Sequence, residues 1–179
     1  VFVLAFGISV LVIALGLFPI ARVNGSTLWH RDLSAMTGAL EHFRQKAAEK
    51  DQKIPGFDNV DSNAKRNIFE EMIIQAVVHE ALGEFGADLS SEVSDTMQKA
   101  SDTGDRAKLV EAVQGLYGMS YAEFEDRILR PEAEEIVLRK HVEASGKVYG
   151  EWLGERLKRA QVKIYFLPYL WNDGKLIDA

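Results

Sequence analysis

The pattern of apolar and polar positions splits the chain in two. Residues 1–21 hold no charged side chain, and from Val1 to Phe18 the only polar side chain is Ser9. As a helix, residues 1–18 would cover roughly 27 Å, close to a hydrocarbon core of about 30 Å. A secretory leader has a shorter apolar stretch and a small-x-small cleavage site. The best such site here follows Ala21 and places Pro19 three positions before the cut, which is poor. The pattern therefore predicts an uncleaved transmembrane helix over residues 1–21. Residues 1–18 would contact the membrane, and the rest of the chain would lie outside it.

Beyond that segment the period changes to that of amphipathic helices. Ala21–Val23 alternates as a short strand, Asn24-Gly25 is a turn dipeptide, and a helix is predicted from near Leu28–Asp32 to about Lys50, with Leu33, Met36, Leu40 and Phe43 on one face. Lys53 to Asn63 reads as a loop around Pro55-Gly56. Ile68, Phe69, Met72, Ile73, Ala76, Val77, Leu82 and Phe85 recur at three- and four-residue spacing and define the strongest helix, ended by Gly86. Ser90 or Ser91 is a candidate N-cap for the next helix, which Thr103-Gly104 breaks. A further helix holds Leu109, Val110, Val113 and Leu116 and ends at Gly118. Ser120-Tyr-Ala-Glu123 is a capping box opening a long helix, with a kink or break expected at Pro131. After Gly146 a last helix carries Val148, Trp152, Leu153 and Leu157, and Val162–Tyr165 alternates as a strand.

An isolated strand leaves its backbone groups unpaired, so the two strands at opposite ends of the helical region are expected to pair with each other. The predicted fold is mainly α: a transmembrane helix followed by an irregular bundle of about six helices with a small two-stranded pairing of the domain's ends. Residues 1–21 would be the transmembrane anchor, or else an uncleaved signal, 22–165 the domain and 166–179 an apolar and aromatic tail.

Composition narrows the chemistry. The sequence has no cysteine, which excludes disulfides, thiolate nucleophiles and cysteine-ligated metals. The net charge is −6, and no basic face for nucleic acid is apparent. His79-Glu80-Ala-Leu-Gly83 opens like a zinc-protease motif, but Gly83 stands where the second histidine is needed. His30, His42 and His141 have no ligand spacing. The carboxylate runs Glu70-Glu71, Glu123–Asp126 and Glu132–Glu135 read as solvated helix faces or partners of Lys and Arg. Gly115–Gly118 lacks the Lys-Ser/Thr of a phosphate loop, and Gly118-Met119-Ser120 lacks the final glycine of a nucleophile elbow. No catalytic residue, metal site or cofactor site is expected.

The order of the segments resembles the N-terminal chaperone domain of the SurA, PpiD and PrsA family of bacterial envelope foldases. The resemblance rests on Val23-Asn24-Gly25 with Leu28 and Asp32, on Ile68–Leu82, on Phe85–Val93, on Gly118–Phe124, and on Trp152-Leu153 with Ala160–Tyr165. It implies a holdase-type chaperone binding apolar segments of unfolded or nascent envelope proteins, carried as a single-pass protein of the inner membrane with its domain on the periplasmic side. In that family a parvulin-type prolyl isomerase domain commonly sits between the long helix and the returning helix. Here that interval, His141–Tyr149, spans nine residues, far below the roughly 50 residues of an independent domain. The chain is thus expected not to be an enzyme.

Candidate client-binding residues are apolar. Met36, Met72, Met97 and Met119 fit core packing or a forgiving groove, since methionine repacks around varied partners. Phe166, Tyr169 and Trp171 belong to a run that seldom stays uncovered. The tail is expected to pack on the domain; extending the sheet or lying at a membrane interface are the other placements. The same fold also suits a structural or adaptor subunit that holds one partner in a membrane complex, with the tail as its docking segment. The expected lack of isomerase activity is checked by a proline-peptide isomerisation assay, in which the chain should leave the uncatalysed rate unchanged.

Overall fold

The two ends of the domain meet on one strand. A computed structural model describes residues 16–49, 62–85, 89–102 and 105–179. Strand β1 (Pro19–Val23) lies between β2 (Ser26–Trp29) and β3 (Val162–Ile164) in an antiparallel sheet of order β2-β1-β3. The expected end-to-end pairing is present: Ala21 faces Ile164, Arg22 faces Lys163 and Val23 faces Val162. The sheet has three strands rather than two, because Asn24-Gly25 closes a tight hairpin instead of leading directly into helix. Asn24 adopts φ 48° and Gly25 φ 109°, the positive values that two-residue hairpin turns require.

β1 buries three of its five residues, two of them adjacent. The register with β2 shifts between Pro19 and Ala21. This irregularity turns both Ile20 and Ala21 into the core, where each is 0% exposed. Pro19 is tolerated because it opens the strand at this irregularity.

Six helices complete the described residues: α1 (His30–Glu49), α2 (Ser62–Glu84), α3 (Ser90–Ser101), α4 (Arg106–Tyr117), α5 and α6 (Tyr149–Arg159). α5 is continuous through Tyr121–Phe124, a π turn at Glu125–Leu129, and Arg130–Ala144. The capping box is formed: Glu123 N–H donates to Ser120 Oγ at 3.3 Å and Ser120 N–H donates to Glu123 Oε2 at 2.9 Å. Pro131 does not break the helix. Its ring would crowd the carbonyl one turn earlier, and the wider π turn just before it makes room. The N-cap of α3 is Leu89, without a side-chain hydrogen bond, rather than Ser90 or Ser91. Gly118 ends α4 as expected, its N–H donating to Gln114 O at 3.0 Å.

α2 is the central helix and has two apolar faces. Phe69, Ile73 and Val77 pack against Ile20, Ala21 and Val23 of the sheet. Val78, Ala81 and Leu82 pack against α3 and α5 through Val93, Met97, Val137 and Leu138. A third, smaller cluster of Ala39, Val113 and Met119 joins α1 to α4.

Residues 166–179 fold as a second hairpin, β4 (Tyr169–Asn172) and β5 (Lys175–Asp178), around Asp173-Gly174. Leu176 is 1% exposed in the same cluster as Ile20 and Phe69. Its backbone is held from α2 at both polar atoms: Arg66 Nη2 donates to its carbonyl, and its N–H donates to Glu70 Oε1 at 3.0 Å. Trp171 Nε1–H donates to Leu157 O at 3.1 Å.

The expected membrane-crossing helix over residues 1–21 and the single-pass inner-membrane placement built on it are corrected. No helix among the described residues is long and apolar enough to cross a membrane. Residues 1–15 of that segment lie outside the described residues, as do the loop over 50–61, the stop at Gly86 and the break at Thr103-Gly104. Gly16 has φ +64°, outside a right-handed helix, and a Cβ there would lie 3.2 Å from His30 Nδ1. The carbonyls of Gly16 and Phe18 accept from the first N–H groups of α1, Arg31 and His30, each at 3.1 Å. Ile20 and Ala21 are apolar because the protein core covers them.

Burial assigns different weights to the two middle residues of β5. Leu176→Ala should lower unfolding stability in urea by about 2–4 kcal/mol, as for other buried leucines, whereas Ile177→Ala, at a side chain 38% exposed, should cost less than about 1 kcal/mol.

Candidate functional site

The most promising concavity lies where α1, α2 and α5 meet. Met36 of α1, Ile74 and Val78 of α2, and Ile128 and Pro131 of α5 supply its apolar lining. Glu71, Gln75, Arg127, Glu132 and Glu135 supply its polar lining. The geometry follows from helical spacing. Glu71, Ile74, Gln75 and Val78 occupy successive turns of one α2 face, and Ile128, Pro131, Glu132 and Glu135 do the same on α5. Its volume is about 270 Å³, near the lower end of small-molecule sites at roughly 300 Å³. That suits one or two side chains of a longer segment better than a whole cofactor.

The electrostatics are acidic. Arg127 pairs with Asp32 at 3.0 Å, and Glu135 pairs with Arg139 at 2.5 Å. Among the described residues, Glu71 accepts from the neutral amide of Gln75, at 3.3 Å, and no ion pair there involves Glu71 or Glu132. Glu71 is an exposed residue by area, yet burial of its carboxyl against the groove is the first cause raising its pKa above the ordinary value. The hydrogen bond from Gln75 opposes that rise, while the charges of Glu135, Glu132 and Glu70 add to it.

Of the expected client-binding residues, only Met36 lines this groove. Met97 and Met119 are buried in two different clusters, and Met72 packs beside Phe69 and Ile73 on the other face of α2. Tyr169 and Trp171 turn inward, with the Tyr169 ring 6.1 Å from that of Phe69. Phe166 alone of the aromatic three points out, 84% exposed and edge-on to Phe18 at 6.3 Å. The seven residues therefore do not converge on one surface. Sequence reasoning missed Ile74, Val78, Ile128 and Pro131 as a set. Their only signal was the crossing of two helix faces, which appears once α2 and α5 are packed.

Two further polar arrangements were hidden. Glu134, read as part of a solvated run, is 8% exposed and accepts from His79 Nδ1–H at 3.0 Å. No cluster of three or more metal-capable side chains occurs among the described residues. Tyr149 is buried with no hydrogen-bond partner for its hydroxyl among the described residues. Burial pushes its phenol well above the usual range, with the charge of Glu135 adding to the effect. The Arg139 guanidinium stands 5.0 Å from the ring centroid.

Neither a family model, nor a curated protein, nor a solved structure matches this chain. The functional reading therefore rests on the groove and on the sequence.

The raised pKa of Glu71 has a definite sign. A carboxyl that binds its proton more tightly when folded makes ionisation cost stability. Glu71→Gln should raise the urea midpoint relative to the parent at about pH 7, and the gain should vanish near pH 3, where both states carry the neutral acid. Glu84, Glu92 and Glu123 shift the other way through hydrogen bonds to Arg156, to Lys140 and to Ser120. They are common to both proteins, so comparison at equal pH removes their effect.

Proposed function

We propose that the chain is a holdase-type chaperone related to the SurA N-like domains, binding apolar segments of unfolded proteins without covalent chemistry and without prolyl isomerase activity. The observation that supports this reading best is the open groove between α1, α2 and α5. Its lining includes Met36, Ile74, Val78, Ile128 and Pro131, and none of its lining residues comes from the C-terminal hairpin. Burying one large apolar side chain is worth about 1.5–3 kcal/mol, so one or two of them give dissociation constants of about millimolar before ordering costs. Contacts that weak release quickly, as a chaperone without a nucleotide cycle needs. Affinity for a whole unfolded chain would come from repeated contacts along it.

A second reading is an adaptor that holds one folded partner. It is favoured by the outer face of the C-terminal hairpin. Leu170 and Ile177 are cross-strand neighbours there, 54% and 38% exposed, and Phe166 is exposed beside the same hairpin.

The test is dilution of a chemically unfolded, aggregation-prone protein into the purified chain while light scattering is followed. Near-stoichiometric suppression is expected, with Met36→Ser weakening it by about twofold or more, the effect of losing one apolar contact, and Leu170→Ser leaving it unchanged. Absence of suppression overturns the holdase reading. One dominant captured partner, lost with Leu170→Ser, would establish the adaptor.

A further inference from the structure

We propose that the groove selects apolar segments that carry lysine or arginine within a few residues of the buried side chain. The inference rests on the holdase reading and names the client chemistry of the same site. Its ground is an imbalance in the groove's own charges. The one cation in the lining, Arg127, is already held by Asp32 at 3.0 Å. One of the three glutamates, Glu135, is already held by Arg139. Glu71 and Glu132 remain on facing helices, α2 and α5, without a cation among the described residues, and Ile74, Val78 and Pro131 lie in the same lining.

An apolar side chain entering between those helices brings its flanking residues to the carboxylates. A basic flank gains two attractive contacts. An acidic flank meets two like charges in a site where incoming chain displaces water, and that raises the penalty above its value in bulk solvent. A neutral flank leaves both carboxylates partly desolvated and unpaired. The groove thus ranks clients by charge, although its depth accepts many apolar side chains.

The binding test uses the full chain and three fluorescently labelled, unstructured peptides with one shared leucine- and phenylalanine-containing centre. Their flanks are lysine, serine or glutamate, and binding is read by fluorescence anisotropy. The lysine-flanked peptide should bind about five- to tenfold more tightly than the glutamate-flanked one, the effect of two partly screened ion pairs. The gap should close at about 0.5 M salt, where screening reaches contact distance. The double variant Glu71→Gln/Glu132→Gln should erase the preference and still bind all three peptides, while Glu111→Gln, on α4 outside the groove, should leave it intact. Equal binding of the three peptides by the parent chain overturns the inference and leaves the holdase reading standing, as does a lysine preference that survives in the double variant. Failure of every peptide to bind with the chain at about millimolar concentration overturns both.

Discussion

The antiparallel pairing of β1 with β3 is the constraint on which the rest of the structure depends. It fixes residues from the two ends of the domain side by side, with Ala21 opposite Ile164 and Val23 opposite Val162. Tyr165 N–H extends the ladder to Ile20 O at 2.8 Å. Asn24 locks the hairpin end of the same strand: its N–H donates to Gln161 O at 3.0 Å, its side-chain oxygen accepts from Gln161 N–H at 2.7 Å, and its amide donates to Glu80 of α2. These bonds orient the buried face of β1 toward Phe69, Ile73 and Val77. A strand this short has too few ladder bonds to persist alone; burial against α2 supplies what the ladder lacks.

Because one face of α2 is committed to the sheet and the other to α3 and α5, the groove forms at the margin of the second face. There α1 crosses α2 but does not cover it completely. Ile74 and Val78 belong to the helix core and to the groove lining at once. The groove wall is therefore an extension of the packed interior, and its shape is set by helix crossing rather than by a loop. The C-terminal hairpin covers a different part of α2, near Arg66 and Glu70, and contributes no lining residue to the groove.

Features written in consecutive residues were legible in the sequence. The capping box at Ser120–Glu123, the stop at Gly118 and the strand at Val162 all depend on local chemistry. Features made by tertiary contact were not. β2 is Ser26-Thr-Leu-Trp29, whose alternation is too short to separate from a helix start, and pairing with β1 decides its state. Both hairpins carry the Asn-Gly or Asp-Gly dipeptide, the strongest local sign available, but β5 shows only Leu176 and Ile177 between charged residues. The apolarity of Ile20 and Ala21 read as the end of a lipid-facing helix because a strand buried in the core uses the same residues. Glu134 looked solvated beside Glu132 and Glu135 until His79 appeared across from it.

Closing the sheet with β3 and the core with Leu176 also sets when the molecule can be completed during synthesis. The helices can form as they leave the ribosome, but Ile20, Phe69 and Ile73 keep an open side until residues 162–176 have been translated. Contacts between such distant parts of a chain form late. The newborn protein therefore passes through an interval with its own oily surface bare, and in that interval it resembles the kind of molecule it is proposed to protect.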